Sequence, residues 1–493
     1  MATRPDPGAS IGGLLLAALL LLATTTALAE ENVLLLEVII NGRSTDKIGK
    51  FDDRQGALYA APQELRDIGF RLPKTAPDPI ALNQLSGVTY RIDMPTQRLL
   101  VMAPAESLMP TLIGQSSGNL VSAVPVQSAT GATLNYNFVG TVQAGHPIVS
   151  DLVDGRVFTP YGVASSAAVA TIGDTANQTI RLDSTYTYSD PDTLSRYRIG
   201  DVISGGLSWT RPVRLGGVQM STDFTIRPDL VTFPVPGLSG QVAVPSTVDV
   251  LVNGVQQFSR DVPPGPFQVQ QLPIVTGAGI VSAVVTNAQG QQTTQTLPFY
   301  ASTQLLAPGL DSFSLEAGAV RRNFGLLSDD YADPAGAVSY RHGLSSWLTL
   351  EGHAEAAPSL AMGGGGAVVD VAHLGVASLF AAGSTSSGRS GGQFGGGIER
   401  ITSIVSFSAS TLIASRDFQD IAAASGDPVP RSLSRMSTGV SLGGLGSLGL
   451  AYTDIRSDAA PPRFFNPVPL FGTLASSPII DEPVPAQHVQ LIT

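Results

Sequence analysis

The side chains most able to do chemistry are few. Glu351, His353 and Glu355 fall at alternate positions of one segment, so in a strand they share a face. Such a row could serve as an acid–base ladder or begin a metal site. A metal would need further ligands at ~2.0–2.2 Å, and His146, His342, His373 and His488 show no paired spacing. The preferred reading is a wetted polar strand face, because structural charge networks also produce such rows. Gly114-Gln115-Ser116-Ser117-Gly118 and Gly388-Arg389-Ser390-Gly391-Gly392 match the serine-hydrolase elbow. That motif needs a strand before it and a helix after it, and both matches lie in Gly/Ser-rich sequence with no helix following. Gly444-Leu445-Gly446-Ser447-Leu448-Gly449 matches a dinucleotide fingerprint, yet Ala451-Tyr452-Thr453 continues as strand. A phosphate-binding loop requires a helix N-terminus at that point. No catalytic residue, cofactor site or metal site is assigned, and the chain is read as a non-enzyme.

The composition narrows the class. The 493 residues carry 28 basic and 39 acidic side chains, a formal charge of -11, and no cysteine. A disulfide framework and a thiolate metal site are excluded, and a net anion without a basic stripe is a poor partner for nucleic acid. Charged residues are 14% of the chain, against ~25% in ordinary soluble domains. The 53 glycines and 35 prolines favour turns and extended segments over long helices. All three lysines, Lys47, Lys50 and Lys74, lie near the start.

Elements that could position side chains follow in order along the chain. Residues 11–23 are an apolar run that ends, through Ala27-Leu28-Ala29, at Glu30. A short apolar core with an A-x-A site is a cleavable export signal, so 1–29 is expected to be removed. Residues 30–110 read as a small α+β module. Leu34 to Ile40 is an apolar run closed by Asn41-Gly42, a strong hairpin signal. Pro62 suits a first helical position, Leu65 and Ile68 share a face, and Gly69 stops the helix.

From about residue 130 the pattern changes to alternation. Leu134, Tyr136 and Phe138 alternate with Thr133, Asn135 and Asn137; Val218, Met220, Phe224 and Ile226 alternate with Gln219, Ser221, Asp223 and Thr225. Leu348 and Leu350 alternate with Thr349, Glu351 and His353. Each segment has one apolar and one polar face, as a sandwich strand or an outer-membrane barrel strand does. The recurrence over some 290 residues, with charges and Thr on the polar faces, favours the barrel. An aromatic content of 6% is thin for two interfacial girdles. Residues 125–238 and 303–493 are therefore expected to be barrel strands. Residues 239–302 differ: they are Val-rich and low in charge, with turns at Asn253-Gly254, Pro263-Pro264-Gly265-Pro266 and Asn287-Ala288-Gln289-Gly290. This is a small β-sandwich-sized insert, marginal alone but viable when packed in a lumen.

The insert and its flanks resemble the fimbrial outer-membrane usher family, in particular the archaic, spore-coat-U type. The residues that carry the resemblance begin with Gly200-Asp201, Arg227-Pro228-Asp229 and Pro234. They continue with Pro245, Val248, Asp249 and Val250, then Asn253-Gly254 and Pro264-Gly265-Pro266-Phe267. Tyr340-Arg341-His342-Gly343-Leu344 follows. The N-terminal segment Leu36-Glu37-Val38 through Asn41-Gly42 is also similar to the usher N-terminal domain. Each motif is short; their order and spacing are specific.

The resemblance implies a mainly β protein. It would be a partial outer-membrane barrel with an internal β-sandwich plug at 239–302 and a periplasmic α+β domain at 30–110. It implies capture of periplasmic chaperone–pilus subunit complexes and secretion of subunits through a plugged pore, without nucleotide hydrolysis or cofactor. Leu34, Leu36, Val38, Asn41 and Gly42 are the expected chaperone contacts, and outer-membrane lipid the surrounding partner. Val489 to Thr493 reads as a strand beginning without a terminal aromatic residue, so the barrel is expected to be C-terminally incomplete. The competing reading is a plugged transporter of small solutes. Such transporters carry the plug ahead of all barrel strands, whereas here strands precede the insert.

Overall fold

The structure, a computed structural model, describes residues 32–113, 129–143, 145–173, 177–269, 272, 276–457 and 487–492. The expected export signal and the elbow-like match at 114–118 lie outside these residues.

The N-terminal module comprises β1 (Asn32–Ile40), β2 (Arg43–Arg54), β3 (Ala57–Ala60), helix α1 (Pro62–Asp67), β4 (Ile80–Ala81), β5 (Thr89–Asp93) and β6 (Arg98–Met102). The strands form one sheet in the order β4-β3-β2-β1-β6-β5. Asn41 and Gly42 turn the β1–β2 hairpin with φ of 49° and 84°, the conformation that makes Asn-Gly favourable there. One sheet face and α1 enclose a core of Leu36, Val38, Phe51, Leu58, Leu65 and Leu99.

A short strand, β7 (Thr111–Ile113), leaves this module, and the chain then enters a sixteen-stranded wall. Its first six strands are β8 (Gly131–Gln143), β9 (His146–Thr159), β10 (Gly162–Gly173), β11 (Asn177–Asp190), β12 (Ser195–Ile203) and β13 (Arg214–Thr222). The insert interrupts at this point. It consists of β14 (Leu238–Val242), β15 (Ser246–Val252), β16 (Val255–Val262), β17 (Gly265–Val269), β18 (Gly277–Asn287) and β19 (Gln292–Ala301). A four-stranded sheet β16-β15-β18-β19 and a smaller sheet β14-β17-β7 share a core of Val248, Val250, Phe267, Val281 and Ala283.

The wall resumes with β20 (Asp311–Arg321), β21 (Tyr331–Ser345), β22 (Leu348–Ala357), β23 (Leu360–Asp370), β24 (Val376–Ser386), β25 (Arg389–Ile401) and β26 (Val405–Ala414). A single-turn helix α2 (Ile421–Ala424) precedes β27 (Pro430–Ser441), β28 (Ser447–Ser457) and β29 (Gln487–Ile492). Neighbours pair in sequence order, and β13 pairs antiparallel with β20 as though the insert were absent, Ser221 opposite Ser314. No helix among the described residues is long and apolar enough to cross a membrane, so any crossing falls to strands.

The alternation read in the sequence sorts the wall into two faces. Tyr197, Leu315, Val338 and Leu350 are exposed on the outer face, where the Tyr188 and Tyr197 rings stack 6.2 Å apart. On the inner face a cross-strand row runs Gln219, Glu316, Ala337, Glu355, Met362 and Ser384. All six are buried. Two chain segments produce that burial by folding back over the inner face: the β12–β13 connection 204–213 and the β26–β27 connection 415–429, which contains α2.

Candidate functional site

The two inward segments meet on the inner face, and each is placed there by specific chemistry. Gly205 approaches β20 so closely that a Cβ on it would sit 2.3 Å from the Ser314 Cβ. Its N–H donates to Glu316 Oε1, which also accepts from Gln219 Nε2 at 3.0 Å and Ser314 Oγ at 2.5 Å. Trp209, 3% exposed, stacks on Phe380 with ring centroids 5.4 Å apart and meets His353 edge-on at 6.0 Å. Its indole N–H donates to Glu351 Oε2 at 3.1 Å, and its carbonyl accepts from Gln393 Nε2 at 3.0 Å. Arg211 then forks onto the Asp420 carboxylate, donating from Nε to Oδ2 at 2.8 Å and from Nη2 to Oδ1. Asp420 also caps α2 by accepting from Ala423 N–H at 2.8 Å. Ile421 fills a core with Val202, Leu215 and Val320.

This overturns the expectation for Glu351, His353 and Glu355. They do share one face, but it is not wetted: His353 and Glu355 are 5% and 4% exposed. Ser339 Oγ lies 2.8 Å from His353 Nδ1 and donates to Gly205 O at 3.1 Å; His353 Nε2 lies 3.0 Å from Glu355 Oε1. Glu355 Oε2 accepts from Ile421 N–H at 2.7 Å. The string begins and ends on backbone atoms of the two inward segments, so it ties them together. Isolated buried polar groups would be costly; here Ser339 and Glu355 find partners on the inward segments, and His353 bridges the two. The described residues hold no group of His, Asp and Glu arranged for a metal ion. Gly388–Gly392 and Gly444–Gly449 form or adjoin hairpin turns, with Gly388 at φ 80° and Gly446 at φ 104°.

The same seam reaches the insert. Arg341 Nε donates to Glu351 Oε1 at 2.9 Å, and its Nη2 donates to Gln304 O at 2.5 Å. Gln304 and Ser302 donate to the Glu399 carboxylate at 2.8 and 3.2 Å. Ile401 N–H donates to the Tyr300 hydroxyl at 3.1 Å, and Leu306 N–H to Thr349 Oγ1 at 2.8 Å. The insert's exit is therefore fastened to β22, β25 and, through Arg341 and Glu351, to Trp209. Trp209, Gln304, Arg341, Glu351 and Glu399 line a cavity of about 660 Å³ on the inner face. On the insert itself, Val248 and Val250 are fully buried and Phe267 is 1% exposed. Asn253 and Gly254 make the β15–β16 turn at φ 52° and 80°, and the Asn253 side chain accepts from Ile280 N–H at 2.9 Å. Asp249 Oδ1 accepts from Gln256 Nε2 at 3.2 Å. Pro245 and Pro264 flank the strands, Pro266 lies within β17 opposite Gln241, and Gly265 holds φ 141°. Asp201 of the Gly200-Asp201 pair gathers Arg181, Arg321 and Tyr331, the last at 2.5 Å.

The N-terminal candidates need correction. Leu36 and Val38 are 2% and 0% exposed, and Leu34 packs against the same core. The Leu36 and Val38 side chains are spent on the core of the module, and Leu34 is half-buried against it. β1 carries Val33, Leu35 and Glu37 on one face and Leu34, Leu36 and Val38 on the other; the single charge of Glu37 marks the outward face, where Val33 and Leu35 are the exposed apolar side chains. Asn41 is also occupied, donating to Ala103 O at 2.9 Å and accepting from Ala103 N–H at 3.0 Å. Gly42, at the turn, is exposed. Sequence reasoning missed Trp209, Arg211 and Asp420 altogether. A tryptophan and an arginine inside a ten-residue connection between strongly alternating strands was the available signal.

A wide antiparallel wall with an apolar outer face, polar inner rows and a folded insert between its sixth and seventh strands defines an outer-membrane β-barrel protein with an internal domain. The sequence profile described as Outer membrane usher protein matches residues 170–415. Usher FimC of Bordetella pertussis is 29% identical over 227 residues, covering 45% of this chain and 25% of FimC. Usher FaeD of Escherichia coli is 26% identical over 323 residues, covering 64% of this chain and 37% of FaeD. An E. coli P pilus tip assembly intermediate, PapC-PapD-PapK-PapG, contains a chain that superposes with a TM-score of 0.52 at 18% identity, over 89% of this chain and 60% of that one. The chain belongs to the outer membrane usher family, and its place is the cell outer membrane. It spans well under half the length of these two ushers.

Proposed function

We propose that the chain acts as an usher of the archaic, spore-coat-U type, recruiting chaperone–subunit complexes and passing pilus subunits through a pore that its insert plugs. The observation that carries this reading is the splice: a two-sheet unit set between the sixth and seventh wall strands, on a chain that opens with a separate α+β module. In this reading residues 30–110 recruit, 125–238 and 303–493 form the pore wall, and 239–302 is the plug. Subunit folding and joining drive export, and no bound cofactor takes part. The recruiting surface is the outward face of β1 and β2, where Val33, Leu35 and Ile48 are exposed, with Gly42 at its tip.

The test uses the intact chain in detergent micelles, mixed with a periplasmic chaperone alone or loaded with a pilus subunit. The reading expects selective retention of the loaded chaperone and its loss in Leu35→Asp. Equal indifference to loaded and free chaperone, by a chain whose wall is folded, would sink it.

A further inference from the structure

The connector that leaves the N-terminal module is anchored in two cores. Leu108, 7% exposed, belongs to the core of that module. It is held in place because Arg71 N–H donates to Ser107 O at 2.9 Å and Met109 N–H to Gly69 O at 2.8 Å. Ile113, 3% exposed, belongs to the core of the insert, with Leu238, Phe267 and Val269. Between the two anchors the chain runs as β7, parallel to β17, with Thr111 opposite Phe267, Leu112 opposite Gln268 and Ile113 opposite Val269. The insert itself supplies only β14 and β17 to that small sheet. A two-stranded ribbon is marginal in water, and a third strand with a buried side chain is what such a sheet lacks. Gly265, where β17 begins, holds φ 141°, and a Cβ on it would sit 3.7 Å from the Leu108 Cδ1, so the connector passes close along the insert.

We infer that Thr111–Ile113 is a docking strand and the free edge of β17 its acceptor, so that the N-terminal module and the insert move as one mechanical unit. Five residues of extended chain span at most ~17 Å, which ties the two cores together for as long as the strand is seated. A three-residue parallel ladder contributes little alone. The buried Ile113 side chain therefore carries the docking, and its withdrawal frees the insert from the module. The inference goes beyond the usher reading, because neither a subunit nor a chaperone enters it.

The chain has no cysteine, which makes the test direct. In the intact chain in micelles, Leu112→Cys with Gln268→Cys places two thiols on register partners whose side chains lie outside the core. A short bis-thiosulfonate should link them rapidly. The pair Leu112→Cys with Asp249→Cys, which joins β7 to the other sheet, should link far more slowly. Adding Ile113→Ala to the first pair should shift the undocking equilibrium by roughly 30-fold, the equivalent of the low end for truncating a buried isoleucine, and slow linkage accordingly. A further pair, Thr247→Cys with Asp261→Cys on register partners of β15 and β16, reports that the insert is still folded. Equal linkage of the first two pairs would overturn the inference. So would linkage of the first pair that is indifferent to Ile113→Ala.

Discussion

Arg211→Ala should release the β12–β13 connection from the inner face of the wall. The Arg211 side chain is 26% exposed and that of Asp420 is 5% exposed, so the substitution leaves a nearly buried carboxylate with the Ala423 N–H as its named partner. Breaking a buried pair in this way costs ~3–5 kcal/mol. Because Arg211 is partly solvated, the lower end applies, about 3 kcal/mol, or roughly a hundredfold in the docking equilibrium. The chain carries two tryptophans: Trp209 is buried in the seam, and Trp347 is 53% exposed. In a Trp347→Phe background the emission therefore reports Trp209 alone. The parent should show blue-shifted emission shielded from acrylamide until the wall unfolds in urea. Arg211→Ala should show quenching at lower urea, in a separate earlier step, while wall unfolding keeps its midpoint. If the two quenching curves coincide at every urea concentration, the ion pair does not hold the connection, and the account of the seam fails.

Three further outcomes follow from the same geometry. Asn41→Ala removes two hydrogen bonds to Ala103 and places alanine at φ 49°; a loss of ~2–4 kcal/mol is expected, read as faster amide exchange in β6, and unchanged exchange contradicts it. Leu36→Ala should cost ~2–5 kcal/mol of module stability and Leu35→Ala no more than ~0.5, with chaperone retention lost in the second; the reverse order of stabilities would mean that the faces of β1 are misassigned. The hydrogen bond from Arg98, helped by one from Ser44, holds the Glu37 carboxyl below its ordinary range. A depressed carboxylate keeps its pairing above the ordinary range and loses it as pH falls through the lowered value. Arg98→Ala should therefore raise the Glu37 midpoint in a carboxyl NMR titration, and identical midpoints would remove the pair from the argument.

Much of the architecture was legible because its causes are local. Asn41-Gly42 and Asn253-Gly254 announce their hairpins through the positive φ both residues tolerate. The α1 helix follows from Pro62 at its start and Gly69, at φ 112°, beyond its end. The outer and inner faces of β22 follow from Leu350 alternating with Thr349 and Glu351. What stayed hidden depends on contacts between residues far apart in the chain. The row Glu351, His353 and Glu355 has the same sequence pattern whether it faces water or Trp209 and Ile421, and those partners lie 142 and 66 residues away in their hydrogen bonds. In β1 the outward face carries one charge, Glu37, beside the apolar Val33 and Leu35, so a run that is apolar at most positions of both faces gives only a faint sign of which side is covered. The three-residue β7 carries too few positions for any period to show.

The adjacency of β13 and β20 across the insert has a consequence in chain entropy. The excursion 223–310 stands where a hairpin loop of about five residues would otherwise serve. Loop-closure cost grows only as the logarithm of length, ~0.6 kcal/mol per doubling, so an excursion about sixteen times longer adds only ~2.4 kcal/mol. An insert that folds on its own core and brings its ends side by side lowers even that. The wall's zippering is thus almost indifferent to what hangs between its sixth and seventh strands. A lineage can lengthen, shorten or exchange that cargo while the register Leu215–Val320 through Ser221–Ser314 stays as it is.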